Sequence, residues 1–228
     1  MVNMKTYILG DIHGHHDKLL ACLQSVNFDY ENDKLIQLGD VVDRGPDTYL
    51  CVEELLKIKN LVAIQGNHDE CWLKSLLKGE PEQGLLWKQG AKETYQSYLK
   101  HGVNPEIHLQ FFINQVKYYI DEERRYFVHG GFNRHYAIDK QLDNTVYTWD
   151  RDLFSQALSY KNMTEEAKKY PFKIHGKPKE IFIGHTPTIY WDITIPMKAA
   201  NIWNLDTGCG KGGLLTIMDL ETKEYYQN

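Results

Sequence analysis

Short apolar runs, each closed by a glycine and a polar cluster, punctuate the first third of the chain. Residues 6–9 stop at Gly10, residues 35–38 at Gly39, and residues 61–64 lead to Gly66. Four-residue runs of apolar and β-branched side chains bounded by turn formers predict buried strands. Between them the period changes. Leu19, Leu20, Leu23 and Val26 recur at helical spacing behind an Asp17 N-cap. Val52, Leu55 and Leu56 mark a second helix that starts at Pro46 and Asp47 and ends near Lys57 and Lys59. Strand, helix, strand, helix, strand over residues 6–64 predicts right-handed crossovers in a largely parallel sheet.

The alternation lapses from residue 71 to about 116. There Trp72, Leu73, Leu76, Leu77, Tyr95, Tyr98 and Leu99 fall at helical spacings, interrupted by Gly79, Pro81, Gly84, Gly90, Gly102 and Pro105. A helical insertion is expected, partly packed on the sheet and partly a rim for a substrate entrance. Strand signals return at 116–120, 126–128 and 181–183, while 132–180 reads as loop and helix, with 165–169 a solvated helix face. Residues 189–195, 202–205 and 214–219 predict strands of a second, antiparallel sheet joined by glycine-rich turns. No repeat or linker divides the chain, so residues 1–228 are expected to form one domain.

Composition narrows the function. With 228 residues and a formal net charge of −5, the chain suits an α/β enzyme and carries no sequence-wide basic field, so nucleic acid is not an expected partner. No stretch approaches the roughly 20 apolar residues of a membrane span. The N-terminus lacks a charged region followed by an apolar core and cleavage site, so a cytoplasmic location is expected. Cys22, Cys51, Cys71 and Cys209 show no CxxC spacing and read as buried free thiols. The 15 tyrosines read as packing.

The chemistry sits where the strands end. GDIHG (10–14), GDVVDRG (39–45), GNHD (66–69), HGG (129–131) and GHT (184–186) each follow a predicted strand, where open α/β sheets place ligands. Asp11, His13, Asp40, Asn67, His129 and His185 supply carboxylate, imidazole and amide oxygen with no thiolate. That set suits divalent manganese first, and iron or zinc. A carboxylate shared by two cations about 3.5–4 Å apart builds a site for phosphate-ester hydrolysis. Arg44, four residues after Asp40, and Arg151 offer planar forks for phosphoryl oxygens. His68 is left free as a general acid, with Asp69 beside it to fix its tautomer. Asp43 and Asp206 either orient such groups or make turns. His15 and His16 read as helix-start residues, His101, His108, His135 and His175 as surface or loop residues, and Cys209 as a packed thiol.

These five motifs, in this order and spacing, resemble the calcineurin-like metallophosphoesterase superfamily. The stretch with Gly90, Thr94, Ser97 and Tyr98, and LDTGCGKGG at 205–213, are similar to small bacterial serine/threonine phosphatases. The resemblance implies a four-layer α/β/β/α sandwich of two mixed sheets with outer helices, and a dinuclear centre. Asp11 and His13 would hold one ion, Asn67, His129 and His185 the other, and Asp40 would bridge. Arg44 and Arg151 would bind phosphate, His68 would protonate the leaving group with Asp69 as its partner, and a metal-bridging hydroxide would attack in line. GHT followed by Pro187 departs from the GHxH of many phosphodiesterases and points to the phosphatase branch. GNHD also occurs among dinucleoside tetraphosphate hydrolases. The expected activity is therefore hydrolysis of phosphomonoesters, phosphoserine and phosphothreonine in proteins first, or small phosphate esters. A symmetrical dinucleoside tetraphosphate hydrolase and a non-catalytic metal-binding regulator are the alternatives.

Overall fold

The computed structural model describes residues 4–79, 87–101 and 106–228. The predicted crossovers form: β1 (Thr6–Leu9), β2 (Lys34–Gln37) and β3 (Asn60–Ala63) pair in parallel, joined by α1 (His16–Ser25) and α2 (Thr48–Leu56). Asp17 lies in the first turn of α1 and His15 takes the cap position, so the helix starts two residues earlier than the sequence suggests. The segment after β3 carries α3 (Asn67–Lys78), a π turn (Trp87–Ala91), α4 (Lys92–His101) and α5 (Glu106–Ile113). The predicted breaks at Pro81, Gly84, Gly102 and Pro105 lie outside the described residues.

The second sheet contains β4 (Tyr118–Ile120), β5 (Tyr126–Val128), β6 (Ile181–Ile183), β7 (Met197–Ala199) and β8 (Ile202–Asn204), ordered β4-β5-β6-β8-β7. Within it β5, β6 and β8 run parallel. Two expectations are corrected here. Residues 189–195 form a 3₁₀ turn (Thr188–Trp191) ending at Asp192 in the left-handed region, and Pro196 then removes a ladder donor, so the strand starts only at Met197. Nor do the last strands share one antiparallel sheet. β8 joins the second sheet beside β6, whereas β9 (Thr216–Asp219) returns to the first, antiparallel to β1, and β10 (Tyr225–Gln227) follows it. The glycine-rich 205–215 segment crosses between the sheets.

Strand alternation builds the four layers. In β1, Tyr7 and Leu9 face α1 and α2 with Leu19, Leu23, Val52 and Leu55, while Ile8 faces the other sheet. In β5 and β6 the outer residues Tyr126, Val128, Ile181 and Ile183 pack with Leu153, Phe154 and Ala157 of α6 (Asp152–Lys161). Their middle residues, Phe127 and Phe182, turn inward and stack with ring centroids 5.1 Å apart. Period two thus gives each sheet one face for helices and one for its partner sheet, the expected α/β/β/α sandwich. No helix among the described residues is long and apolar enough to cross a membrane.

His108 corrects a further expectation. It is fully buried on α5, its Nε2–H donating to Glu53 Oε1 at 2.8 Å while Nδ1 accepts from Tyr98 Oη at 2.8 Å. Its helical position turns it toward α2 and α4, where Tyr49 stacks on it. Cys22, Cys51 and Cys209 are buried free thiols, and Cys71 is partly exposed. Burial pushes the Cys209 thiol up to about 12, which makes it unreactive.

Candidate active site

All five motifs converge at the C-terminal ends of the parallel strands. The loops after β1 and β2 continue their pairing beyond the sheet: Ile12 N and His13 N donate to Asp40 O at 3.1 and 2.9 Å, and Gly14 N donates to Val41 O at 2.9 Å. That zipping brings His13 beside Asp40. Five non-glycine residues of these motifs, His13, Asp40, Asp43, Arg44 and His185, adopt positive φ between 48° and 73°. Each is a sparsely populated conformation that persists where the surroundings over-determine it.

Asp40 is the centre of the site. Its Oδ2 lies 3.5 Å from His13 Nε2 and its Oδ1 lies 3.4 Å from His129 Nε2, so each oxygen faces a different imidazole. Among the described residues two donor groups have all their ligand atoms within 4.8 Å, His13–Asp40–His68 and Asp40–His129–His185, and Asp40 belongs to both. Backbone carbonyls orient the rings. His13 Nδ1–H donates to Val42 O and His129 Nδ1–H to Leu38 O, each at 2.8 Å, which leaves the Nε2 atoms turned inward as donors to a cation. Asn67 Oδ1 completes the His129 side at 3.1 Å from its Nε2. Asp40 Oδ1 also accepts His68 N–H at 3.0 Å, at the N-terminus of α3, where the helix dipole favours negative charge.

Asp11 lies outside both groups, its carboxylate accepting His185 N–H at 3.1 Å. Arg44 spans the two imidazoles, with Nη1 2.5 Å from His13 Nε2 and Nη2 3.0 Å from His68 Nε2. Arg151 donates from Nη1 to His185 O at 3.0 Å and to Thr186 Oγ1 at 2.9 Å. Both arginines line a cleft of about 520 Å³ above Asp40, together with Lys88, Lys211, Trp149 and Tyr190.

His68 and Asp69 do not pair, which corrects the expectation. His68 Nδ1–H donates to Asp43 Oδ2 at 2.6 Å. Asp69 instead accepts Val41 N–H (2.9 Å), Gly66 N–H (3.1 Å) and Gln115 Nε2–H (3.0 Å), clamping the β2 loop to the start of α3. Consecutive helical residues point about 100° apart and cannot face each other. Asp43 is thus the residue that sequence reasoning left undecided; its signal was the second acid of GDVVDRG.

The donor set fits divalent cations. Burial works against ionising Asp40, but the imidazoles of His129 and His68 hold its carboxyl well below the usual range. Burial and the nearby Asp206 carboxylate push Asp11 well above it. Burial alone would lower His129, yet Asp40 and Asp11 hold it up at about 9. Burial, then His129 and Arg151, keep His185 neutral, and His185 Nε2 is buried with no hydrogen-bond partner among the described residues. Buried carboxylates beside an orphaned imidazole nitrogen are what a cation satisfies, displacing the proton held on His129.

The glycines of the motifs allow these approaches. A Cβ at Gly66 would overlap Asp40 Oδ1 and the Asp40 backbone nitrogen, and one at Gly184 would overlap Asp11 Oδ1. Gly66→Ala is expected to destabilise the fold by about 1–3 kcal/mol, the usual cost of overpacking, and to lower activity at least about tenfold through the displaced Asp40. Urea unfolding and steady-state rates check this; a wild-type midpoint and rate would show that the loop yields freely.

Two mixed sheets with a carboxylate-centred, imidazole-rich site at their strand ends define a metal-dependent phosphoesterase. The chain belongs to the calcineurin-like phosphoesterase family, whose sequence profile matches residues 4–217. It is a phosphoric-ester hydrolase, and the family implies a dinuclear divalent metal centre. The chain is 25% identical over 218 residues to serine/threonine-protein phosphatase 1 of Salmonella typhimurium, covering 94% of this chain and 91% of that protein. To the symmetrical bis(5'-nucleosyl)-tetraphosphatase of Cellvibrio japonicus it is 27% identical over 272 residues, covering 96% of each. A solved cold-active protein-tyrosine phosphatase from a Shewanella species shares the fold, with a TM-score of 0.62 at 17% identity, covering 99% of this chain and 80% of that one.

Proposed function

We propose that the protein hydrolyses phosphomonoesters, phosphoserine and phosphothreonine of proteins first, using two divalent ions, manganese by preference. The observation that carries this reading is Asp40, with one carboxylate oxygen toward His13 and the other toward His129. In this assignment Asp11 and His13 hold one ion, Asn67, His129 and His185 the other, and Asp40 bridges. The absence of thiolate from the set argues against a structural zinc site of the cysteine type. Free thiols such as Cys22, Cys51 and Cys209 accord with a reducing cytoplasm.

When bound, such an ion pair supplies a nucleophile from water at neutral pH and neutralises phosphoryl charge. The chain does the rest. Arg44 and Arg151 take the phosphoryl oxygens in their forks, and Lys88 and Lys211 make the cleft mouth cationic in a chain of net charge −5. His68, with Nδ1–H committed to Asp43, gives a proton from Nε2 to the leaving oxygen once Arg44, whose Nη2 lies 3.0 Å from that nitrogen, turns to the phosphoryl group. Asp43 stabilises the imidazolium that this requires.

The phosphomonoester reading draws support from the alignments. The Cellvibrio tetraphosphatase alignment runs over 272 positions against 228 residues here, so at least 44 of them are segments this chain does not carry. The 218-residue match to the Salmonella phosphatase needs no such extension. One observation favours the tetraphosphatase reading: Trp149 and Tyr190 flank the cleft as exposed rings suited to stacking on a base.

The test is a substrate panel after chelation and reloading with Mn²⁺: p-nitrophenyl phosphate, a phosphoserine peptide and diadenosine tetraphosphate. The peptide is expected to exceed the dinucleotide at least about tenfold in kcat/KM, or about 1.4 kcal/mol. The opposite preference overturns the protein-substrate reading, and no turnover with any divalent ion overturns the whole proposal.

A further inference from the structure

We propose that Thr94 is a positioning residue for proton donation, acting on His68 through Asp43; the inference rests on the reading of His68 as the proton donor. Thr94 lies in the first turn of α4, far from the five motifs in sequence, and has no exposure to solvent. Its Oγ1 accepts Asp43 N–H at 2.7 Å and donates to Asp43 Oδ1 at 2.9 Å. A hydroxyl has one proton and two lone pairs. Because that proton goes to Asp43, the 3.2 Å contact with Thr48 Oγ1 is donated by Thr48. The Thr94 hydroxyl is then saturated, with two of its three bonds on one residue.

Asp43 needs that support. Its φ of 73° is a left-handed conformation that is sparsely populated outside glycine and costs strain even for aspartate. Its other oxygen takes His68 Nδ1–H at 2.6 Å, so a rotation of the Asp43 carboxylate carries the imidazole with it. One side chain grips both the strained backbone and the free carboxylate oxygen. The preceding turn latches the next residue as well: Gly90 O accepts Arg44 N–H at 3.1 Å, and Gly90, at φ 115°, cannot carry a Cβ without overlapping Arg44 N. Ser97 Oγ, three residues on, accepts Tyr49 N–H at 3.0 Å. The segment 90–97 therefore forms the outer wall of the GDVVDRG loop, and Thr94 is its contact with the proton donor's partner.

The experiment compares Thr94→Val, Thr94→Ser and His68→Asn on p-nitrophenyl phosphate, a good leaving group, and phenyl phosphate, a poor one. Thr94→Val, isosteric and without the hydroxyl, is expected to lose roughly 10–100-fold in kcat on phenyl phosphate and under about threefold on p-nitrophenyl phosphate. Its metal content should stay at the wild-type level. Thr94→Ser keeps the hydroxyl and is expected to stay near wild type on both. An equal loss on both esters in Thr94→Val marks a structural role and overturns the proposal. So does a selective loss in Thr94→Ser, which decides the matter if the valine variant does not fold. If His68→Asn shows the selective loss and Thr94→Val does not, only the Thr94 inference fails. If His68→Asn shows none, the proton-donor reading itself fails.

Discussion

Asp40→Asn is expected to lower kcat/KM by on the order of 10³-fold or more, because it removes the one group shared by both halves of the site. The loss of metal should be asymmetric. Asp40 Oδ1 accepts His68 N–H, so the amide of the variant keeps its carbonyl oxygen there and turns its NH₂ into the Oδ2 position facing His13. An NH₂ group cannot coordinate a cation. On the proposed assignment an ion held by Asp11 and His13 would therefore be lost first, and the His129 side would keep a weakened one without the carboxylate charge. Metal analysis of the purified variant should find about one ion per chain where two are expected in the wild type. Two ions at wild-type affinity, with a rate within about tenfold of wild type, would refute the bridging assignment.

For His68→Asn the expected signature is selectivity. A positioned general acid contributes about 10²–10⁴-fold, and the leaving group decides how much of that is needed. The phosphoserine peptide, whose alkoxide needs a proton, should lose at least about 10²-fold in kcat, whereas p-nitrophenyl phosphate should lose far less. The asparagine amide can still donate to Asp43 Oδ2, so the loop stays supported. Metal content separates the proton donor from a ligand. His68 shares the 4.8 Å group with His13 and Asp40, and if the variant binds only one ion, His68 is a ligand and its assignment as acid is wrong. Retention of both ions with the selective rate loss is the expected result.

Both variants test contacts that differ in how far they could be read in advance. Asp11, His13, Asp40, Asn67, His129 and His185 each follow a strand whose apolar run and closing glycine are local features. A parallel sheet with its ligands at the strand ends brings such residues together by topology alone. The convergence of the motifs was legible for that reason. The partner of His68 was not, because Asp43 and Asp69 both stand within reach in the written sequence. The choice depends on helical geometry: His68 and Asp69 are consecutive in α3 and turn to opposite tasks, one toward Asp43 and the other onto the β2 loop. Thr94 was visible as part of a resembling stretch but not as the residue that grips Asp43, 51 positions away.

By itself, the sequence determined the strand-helix alternation of residues 6–64 and the position of the polar motifs at the strand ends, since hydrophobic period and glycine-closed strand ends act over a few residues, while the four-layer class was legible only through the family resemblance. Tertiary structure alone decided that β8 and β9 lie in different sheets, that His108 is buried, that Asp43 and not Asp69 holds His68, and that α4 braces the GDVVDRG loop. Each of these is a choice among partners distant in the chain, set by packing and hydrogen-bond geometry that no local pattern encodes.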